Sequence, residues 1–158
     1  MDFVGIQKTL KFTQENTGSI NEVFPLLCPV REGDWLDGWE YRMIHSSSGL
    51  IERDCVFATP HHGKMETVWH VPQYDTVNYK IEFLIFTPAE NVVKINIQLE
   101  KINEHLTKTH ISYQYTALSE EQNSFIETEL EKSFVESMRW WEKSINYYLK
   151  TGKMLKRT

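Results

Sequence analysis

Between residues 119 and 150 bulky apolar side chains recur at Ile126, Leu130, Phe134, Met138, Trp141, Ile145 and Tyr148, at intervals of four, four, four, three, four and three. That spacing keeps all of them within one arc of an α-helix. Ser119-Glu120-Glu121-Gln122 ahead of the stripe has the form of a capping box, and Gly152 beyond it supplies a stop. The pattern predicts one continuous helix, on the order of 50 Å long at 1.5 Å per residue. Its apolar face must be buried, and the rest of the chain, mostly strand-like, is the available cover.

Residues 3–13 alternate, with Val4, Ile6, Leu10 and Phe12 on one parity and Lys8 breaking the series. Ser19-Ile20-Asn21-Glu22 repeats the capping-box logic and predicts a short helix that Pro29 ends. A second short helical turn is expected around 31–38. From Trp39 onward the period is two. Trp39, Tyr41, Met43 and His45 share one parity, as do Cys55, Phe57 and Thr59; Met65, Thr67, Trp69 and Val71; Tyr79, Ile81, Phe83 and Ile85; Val93, Ile95, Ile97 and Leu99; and Ile111, Tyr113 and Tyr115. Turn clusters separate these runs, among them Ser46-Ser47-Ser48-Gly49, Pro72-Gln73-Tyr74-Asp75 and Pro88-Ala89-Glu90-Asn91. Alternation with hairpin-length turns implies antiparallel pairing with one face wet and one covered. The expected architecture is α+β: a curved antiparallel sheet of about seven strands wrapped around a long C-terminal helix, with two short helices after strand 1.

The length of 158 residues suits one domain spanning 1–158. A net charge of −5 argues against a nucleic-acid partner, which would call for clustered Lys and Arg. The basic tail Lys150, Lys153, Lys156 and Arg157 is expected to complement the negative end of the long helix. No apolar run approaches the roughly eighteen residues of a membrane span, and the N-terminus lacks a secretory pattern, so neither membrane insertion nor export is expected. Cys28 and Cys55 read as reduced, buried thiols of a cytoplasmic protein.

The run Val23-Phe24-Pro25-Leu26-Leu27-Cys28-Pro29-Val30-Arg31-Glu32-Gly33-Asp34-Trp35-Leu36-Asp37-Gly38-Trp39, with Ser48-Gly49 and Cys55-Val56-Phe57 after it, resembles small bacterial members of the START-like (SRPBCC) superfamily. The element order of the whole chain is similar to that of its helix-grip proteins, which include the Bet v 1 plant proteins, polyketide cyclase/dehydrase-type proteins and activator-of-Hsp90 homologues. The resemblance implies a cavity between sheet and C-terminal helix, lined by apolar and aromatic groups.

The inward parity agrees with that expectation. It nominates Trp39, Tyr41, Phe57, Trp69, Tyr79, Phe83 and Tyr113 from the strands, Phe134, Met138 and Trp141 from the helix, and Trp35 at the mouth, as ligand-binding residues. Packed rings without a pocket are the alternative. Among titratable groups, His45 shares the inward parity and is the one candidate catalytic base. Arg31, Glu32, Asp34 and Trp35 form either a lid or an ion-paired loop. His61 and His62 are adjacent and His70 lies on the opposite parity from Trp69, so no metal site is expected, and nothing calls for a cofactor. Trp140 and Tyr147, off the main stripe, are a candidate surface for a partner or a second copy of the chain.

Three functions fit these features. Binding of a small hydrophobic or aromatic molecule, lipid- or polyketide-like, needs no covalent chemistry and is favoured. A cyclase or dehydratase would use the same pocket, with His45 or a tyrosine moving protons. An Hsp90-activator-like interaction module would use an outer surface instead.

Overall fold

The computed structural model describes residues 2–158. β1 (Gln7–Asn16) leads into α1 (Ile20–Val23), a 3₁₀ turn (Phe24–Leu27) and α2 (Pro29–Trp35). β2 (Arg42–His45), β3 (Val56–Pro60), β4 (Glu66–Asp75), β5 (Lys80–Thr87), β6 (Asn91–Asn103) and β7 (Leu106–Ala117) follow, and α3 (Glu120–Thr128) and α4 (Leu130–Thr151) complete the chain. The sheet has seven antiparallel strands in the order β1-β7-β6-β5-β4-β3-β2. β2 to β7 form a meander, and β1 pairs with β7. The expected α+β helix-grip architecture is the one the chain adopts.

Alternation decides which face is buried. Val93, Ile95, Ile97 and Leu99 of β6 and Ile81, Phe83 and Ile85 of β5 point into the core, while Lys94, Gln98 and Leu84 point out. Phe134, Met138 and Ile145 of α4, Trp35 of α2 and the apolar residues of α1 close over that face. A smaller cluster of Ala117, Ile126 and Leu130 joins α3 to the end of β7. Ser19 and Glu22 form the full capping box ahead of α1. At α3 only half of one forms: Ser119 accepts from the backbone amide of Gln122, but the Gln122 side-chain oxygen accepts from the Asn91 side-chain amide instead. Gly152, at φ 70°, ends α4 in the left-handed conformation that glycine adopts without strain.

Several expectations change. The long helix is interrupted at Glu129, where φ −128° departs from helical values. The Thr128 hydroxyl bonds back to the Ser124 carbonyl, a contact that bends helices. At 22 residues, α4 is about 33 Å long. Pro29 begins α2 rather than only ending the element before it, because the first helical position needs no N–H. Pro72-Gln73-Tyr74-Asp75 is not a turn: β4 runs through it, with a register shift between His70 and Gln73 where the missing proline donor is tolerated. The first strand starts at Gln7, and its inward parity continues through the fully buried Gln14 and Asn16. Lys8 shares that parity at the open end of the sheet and pairs with Glu131 at 3.6 Å. The tail folds back rather than trailing from α4: Leu155 bridges to Leu36, Lys156 approaches Asp37 at 3.5 Å, and the Arg157 amide donates to Asp37.

Candidate functional site

α2 lies across one end of the space between sheet and α4. Its spacing puts Pro29, Glu32 and Leu36 on one face, at i−3, i and i+4, and that face is turned inward. Arg31 and Asp34 pair with each other at 2.8 Å on the solvent side. The group thus divides: the ion pair stays outside and Glu32 goes in, 8% exposed. Trp35 is fully buried, its indole N–H donating to the Leu26 carbonyl at 2.8 Å, and so anchors the helix.

Glu32 faces a cavity of about 100 Å³ walled by Trp39, Phe57, Trp69, Phe83, Tyr113 and Trp141, with Ile95 and Ile97 at the floor. The rings brace one another. Phe57 stacks on Trp69 at 5.2 Å, Phe83 meets both edge-on, and Trp39 meets Trp69 at 6.1 Å. Their polar edges are tied to the protein, Trp39 to the Pro29 carbonyl and Trp69 to the Thr59 hydroxyl. Leu36, Trp39, Tyr113 and Trp141 separate the cavity from an outer groove of about 280 Å³, bordered by Ser137, Met138, Trp140 and Arg157.

Burial alone sets the proton affinity of Glu32, raising its pKa from 4.5 to about 8. No hydrogen bond from the described residues and no cation offsets that burial. At neutral pH the group is therefore mostly a carboxylic acid, able both to donate and to accept. Burial also raises the Tyr113 phenol far above its ordinary value, with Tyr115 and Glu32 adding to the shift, and pushes Tyr115 up to about 12. Empty, a cavity of this size would cost about 2 kcal/mol at ~24 cal/mol per Å³. With a polar group inside, it instead has room for about three waters at ~30 Å³ each.

Six of the nominated residues line this cavity, namely Trp39, Phe57, Trp69, Phe83, Tyr113 and Trp141. Trp35 packs behind Trp141, Tyr41 stacks on Trp39, and Phe134 lies against Tyr113. Met138 borders the outer groove. Tyr79 is elsewhere: at φ 57° it sits in the turn before β5, bonded to Asn21 and edge-on to Phe24. His45 does not reach the cavity. A register shift after Met43 pairs it with Val56, on the face opposite Phe57, and it is exposed. The polar group that does reach it is Glu32. Its signal was the position between Pro29 and Leu36 on one helical face, beside a tryptophan. Trp140 is also less open than its place off the stripe suggests, since the Arg157 guanidinium covers its ring at 4.4 Å.

The fold that carries this cavity is that of known structures. The chain has the START-like helix-grip fold. It aligns with norcoclaurine synthase from Thalictrum flavum in complex with dopamine and hydroxybenzaldehyde (TM-score 0.68, 12% identity, 95% of this chain and 90% of that one). It aligns also with the Zhui aromatase/cyclase from Streptomyces sp. R1128 (0.68, 9%, 95% and 100%) and with the hypothetical protein jhp0584 from Helicobacter pylori (0.73, 11%, 89% and 87%). No family model and no curated protein sequence matches the chain. No helix among the described residues is long and apolar enough to cross a membrane. At these identities the helix-grip likeness speaks for fold alone.

Proposed function

We propose that this helix-grip protein binds a small, mainly apolar aromatic molecule, lipid- or polyketide-like in its hydrocarbon part, with a single polar end held by Glu32. The observation that carries this reading is a buried carboxyl without a protein partner, facing a cavity walled by aromatic rings. Burying such a group without a hydrogen bond is costly, and a ligand hydroxyl or amine would satisfy it. At about 100 Å³ the cavity is smaller than the ~150 Å³ one known to accept benzene. A ring-sized ligand therefore needs Trp39 and Trp141 to swing and join the cavity to the outer groove. The free, buried thiols of Cys28 and Cys55 suit a reducing, cytoplasmic setting.

Tryptophan-fluorescence titration with 1-naphthol and with naphthalene tests the assignment. The hydroxylated probe should bind at least tenfold tighter, and Glu32→Ala should abolish that preference. Failure of both probes to bind would overturn the reading.

A second reading, catalysis of the cyclase or dehydratase kind, is favoured by one feature: a carboxyl with a pKa of about 8 can take and return a proton near neutral pH. The aromatase/cyclase and norcoclaurine synthase likenesses support it as analogy. Under this reading Glu32→Gln abolishes turnover of a poly-β-ketone substrate while binding persists; unchanged turnover removes Glu32 from the chemistry.

A further inference from the structure

The β3–β4 and β5–β6 hairpins turn at the same end of the sheet, because β4 begins where β5 ends, with Val68 opposite Phe86. Their tips are fixed from beneath by a Thr67–Thr87 hydroxyl bond of 3.0 Å. In the first tip, the His61 amide donates to Met65 and the Met65 amide to His62, closing the loop through Gly63 at φ 56°. In the second, the Glu90 amide donates to Thr87 and its carbonyl accepts from Leu118. These bonds hold three side chains together. His61 Nε2 lies 2.8 Å from Glu90 Oε1, the His61 and His62 rings are 4.1 Å apart, and one ligand atom from each residue falls within 4.8 Å of the other two.

A hydrogen bond to Glu90 would need only His61. The second imidazole is what changes the chemistry. Two other histidines have carboxylate partners, His70 with Asp54 at 3.3 Å and His110 with Glu100 at 3.1 Å, and neither has another imidazole beside it. Two imidazoles and one carboxylate are the donor set of a borderline divalent cation, while magnesium and calcium prefer oxygen alone. We propose that His61, His62 and Glu90 form a binding site for a zinc-class divalent cation that joins the two hairpin tips. Bonds of about 2.0–2.1 Å to nitrogen and oxygen would set the ligand atoms roughly 3.3 Å apart in a tetrahedron. From within 4.8 Å, side-chain rotation alone closes that gap. His62 is exposed, so the fourth position is open to solvent or to a small anionic ligand. The cation would tie the hairpin carrying Phe57 and Trp69 to the one carrying Phe83 and Ile95, stiffening the wall of the aromatic cavity.

Isothermal titration with ZnCl₂, paired with visible absorption on adding CoCl₂, tests the site in the whole chain. One zinc should bind per chain, with affinity reduced at least tenfold in each of His61→Ala, His62→Ala and Glu90→Gln, and unchanged in His110→Ala. Excess Mg²⁺ should not compete, and zinc should raise the melting temperature of the wild type but not of the Glu90→Gln variant. His62 and Glu90 lie on turns, so these substitutions should leave the apo melting temperature nearly unchanged. Absence of saturable binding, or binding that survives both His62→Ala and Glu90→Gln, overturns the proposal and leaves His61 and Glu90 as a hydrogen-bonded pair.

Discussion

The indole of Trp141 meets the fully buried indole of Trp35 edge to face, with ring centroids 5.2 Å apart and planes at 67°. This contact fixes the helix that carries Glu32 against α4. Trp35→Ala should cost about 3–5 kcal/mol in urea denaturation followed by far-UV circular dichroism. Trp35→Phe keeps a ring but leaves the Leu26 carbonyl without its donor, and should cost about 1–3 kcal/mol. Equal losses in the two variants would mean that the hydrogen bond, not the ring contact, holds α2.

Glu32 makes stability depend on pH in a direction unusual for a carboxylate. With its folded pKa near 8 against 4.5 unfolded, folding takes up a proton at this site between those values. Its effect on stability is most favourable below pH 4.5, declines as pH rises through the window, and levels off above 8. The shift corresponds to about 5 kcal/mol at 1.36 kcal/mol per unit, an upper figure where water reaches the carboxylate. The Glu32→Gln variant should match the wild type near pH 4.5 and exceed it by several kcal/mol at pH 8.5. Parallel stability curves across that range would contradict a buried, neutral Glu32.

One amide stitches α4 to the sheet. Asn146 accepts from the Asn16 side chain at 3.2 Å and from the Thr17 amide at 3.0 Å, and donates to the Glu15 carbonyl at 2.9 Å. Asn16, fully buried, accepts in turn from Thr109 at 2.8 Å. Asn146→Ala should cost about 1–3 kcal/mol by leaving these groups unpaired. Hydrogen exchange should show lost protection at the Thr17 amide, while amides of β5 and β6 keep theirs.

The alternation in β5, β6 and β7 was legible because each strand buries one face over most of its length, so parity alone identifies Phe83 and Tyr113 as inward. Legibility ended where a single residue resets the count. The register shift after Met43 turns His45 outward, and the one beyond His70 carries β4 through a proline that reads as a turn. Glu32 was hidden for a different reason. A charged residue in a helix is ordinarily solvated, and its burial here follows from how α2 lies across the sheet, a tertiary fact. The cluster of His61, His62 and Glu90 required the same knowledge, since residues 61 and 90 meet only once four strands are in register.

Entry to the cavity gives the last prediction. The groove bordered by Ser137, Met138 and Arg157 shares Leu36, Trp39, Tyr113 and Trp141 with the cavity, so a ligand should pass between those four residues. Ser137 is exposed on the rim, and a substitution there should change stability by no more than about 0.5 kcal/mol. Ser137→Trp should slow both association and dissociation of 1-naphthol in stopped-flow fluorescence by about tenfold, equivalent to ~1.4 kcal/mol on each barrier. The dissociation constant should change less than either rate, because Ser137 stands at the rim of the groove and not among the four shared residues. Met138→Trp differs, since Met138 is buried and overpacking there should cost about 1–3 kcal/mol of stability as well as affinity. Unchanged rates in Ser137→Trp would mean that the ligand enters elsewhere.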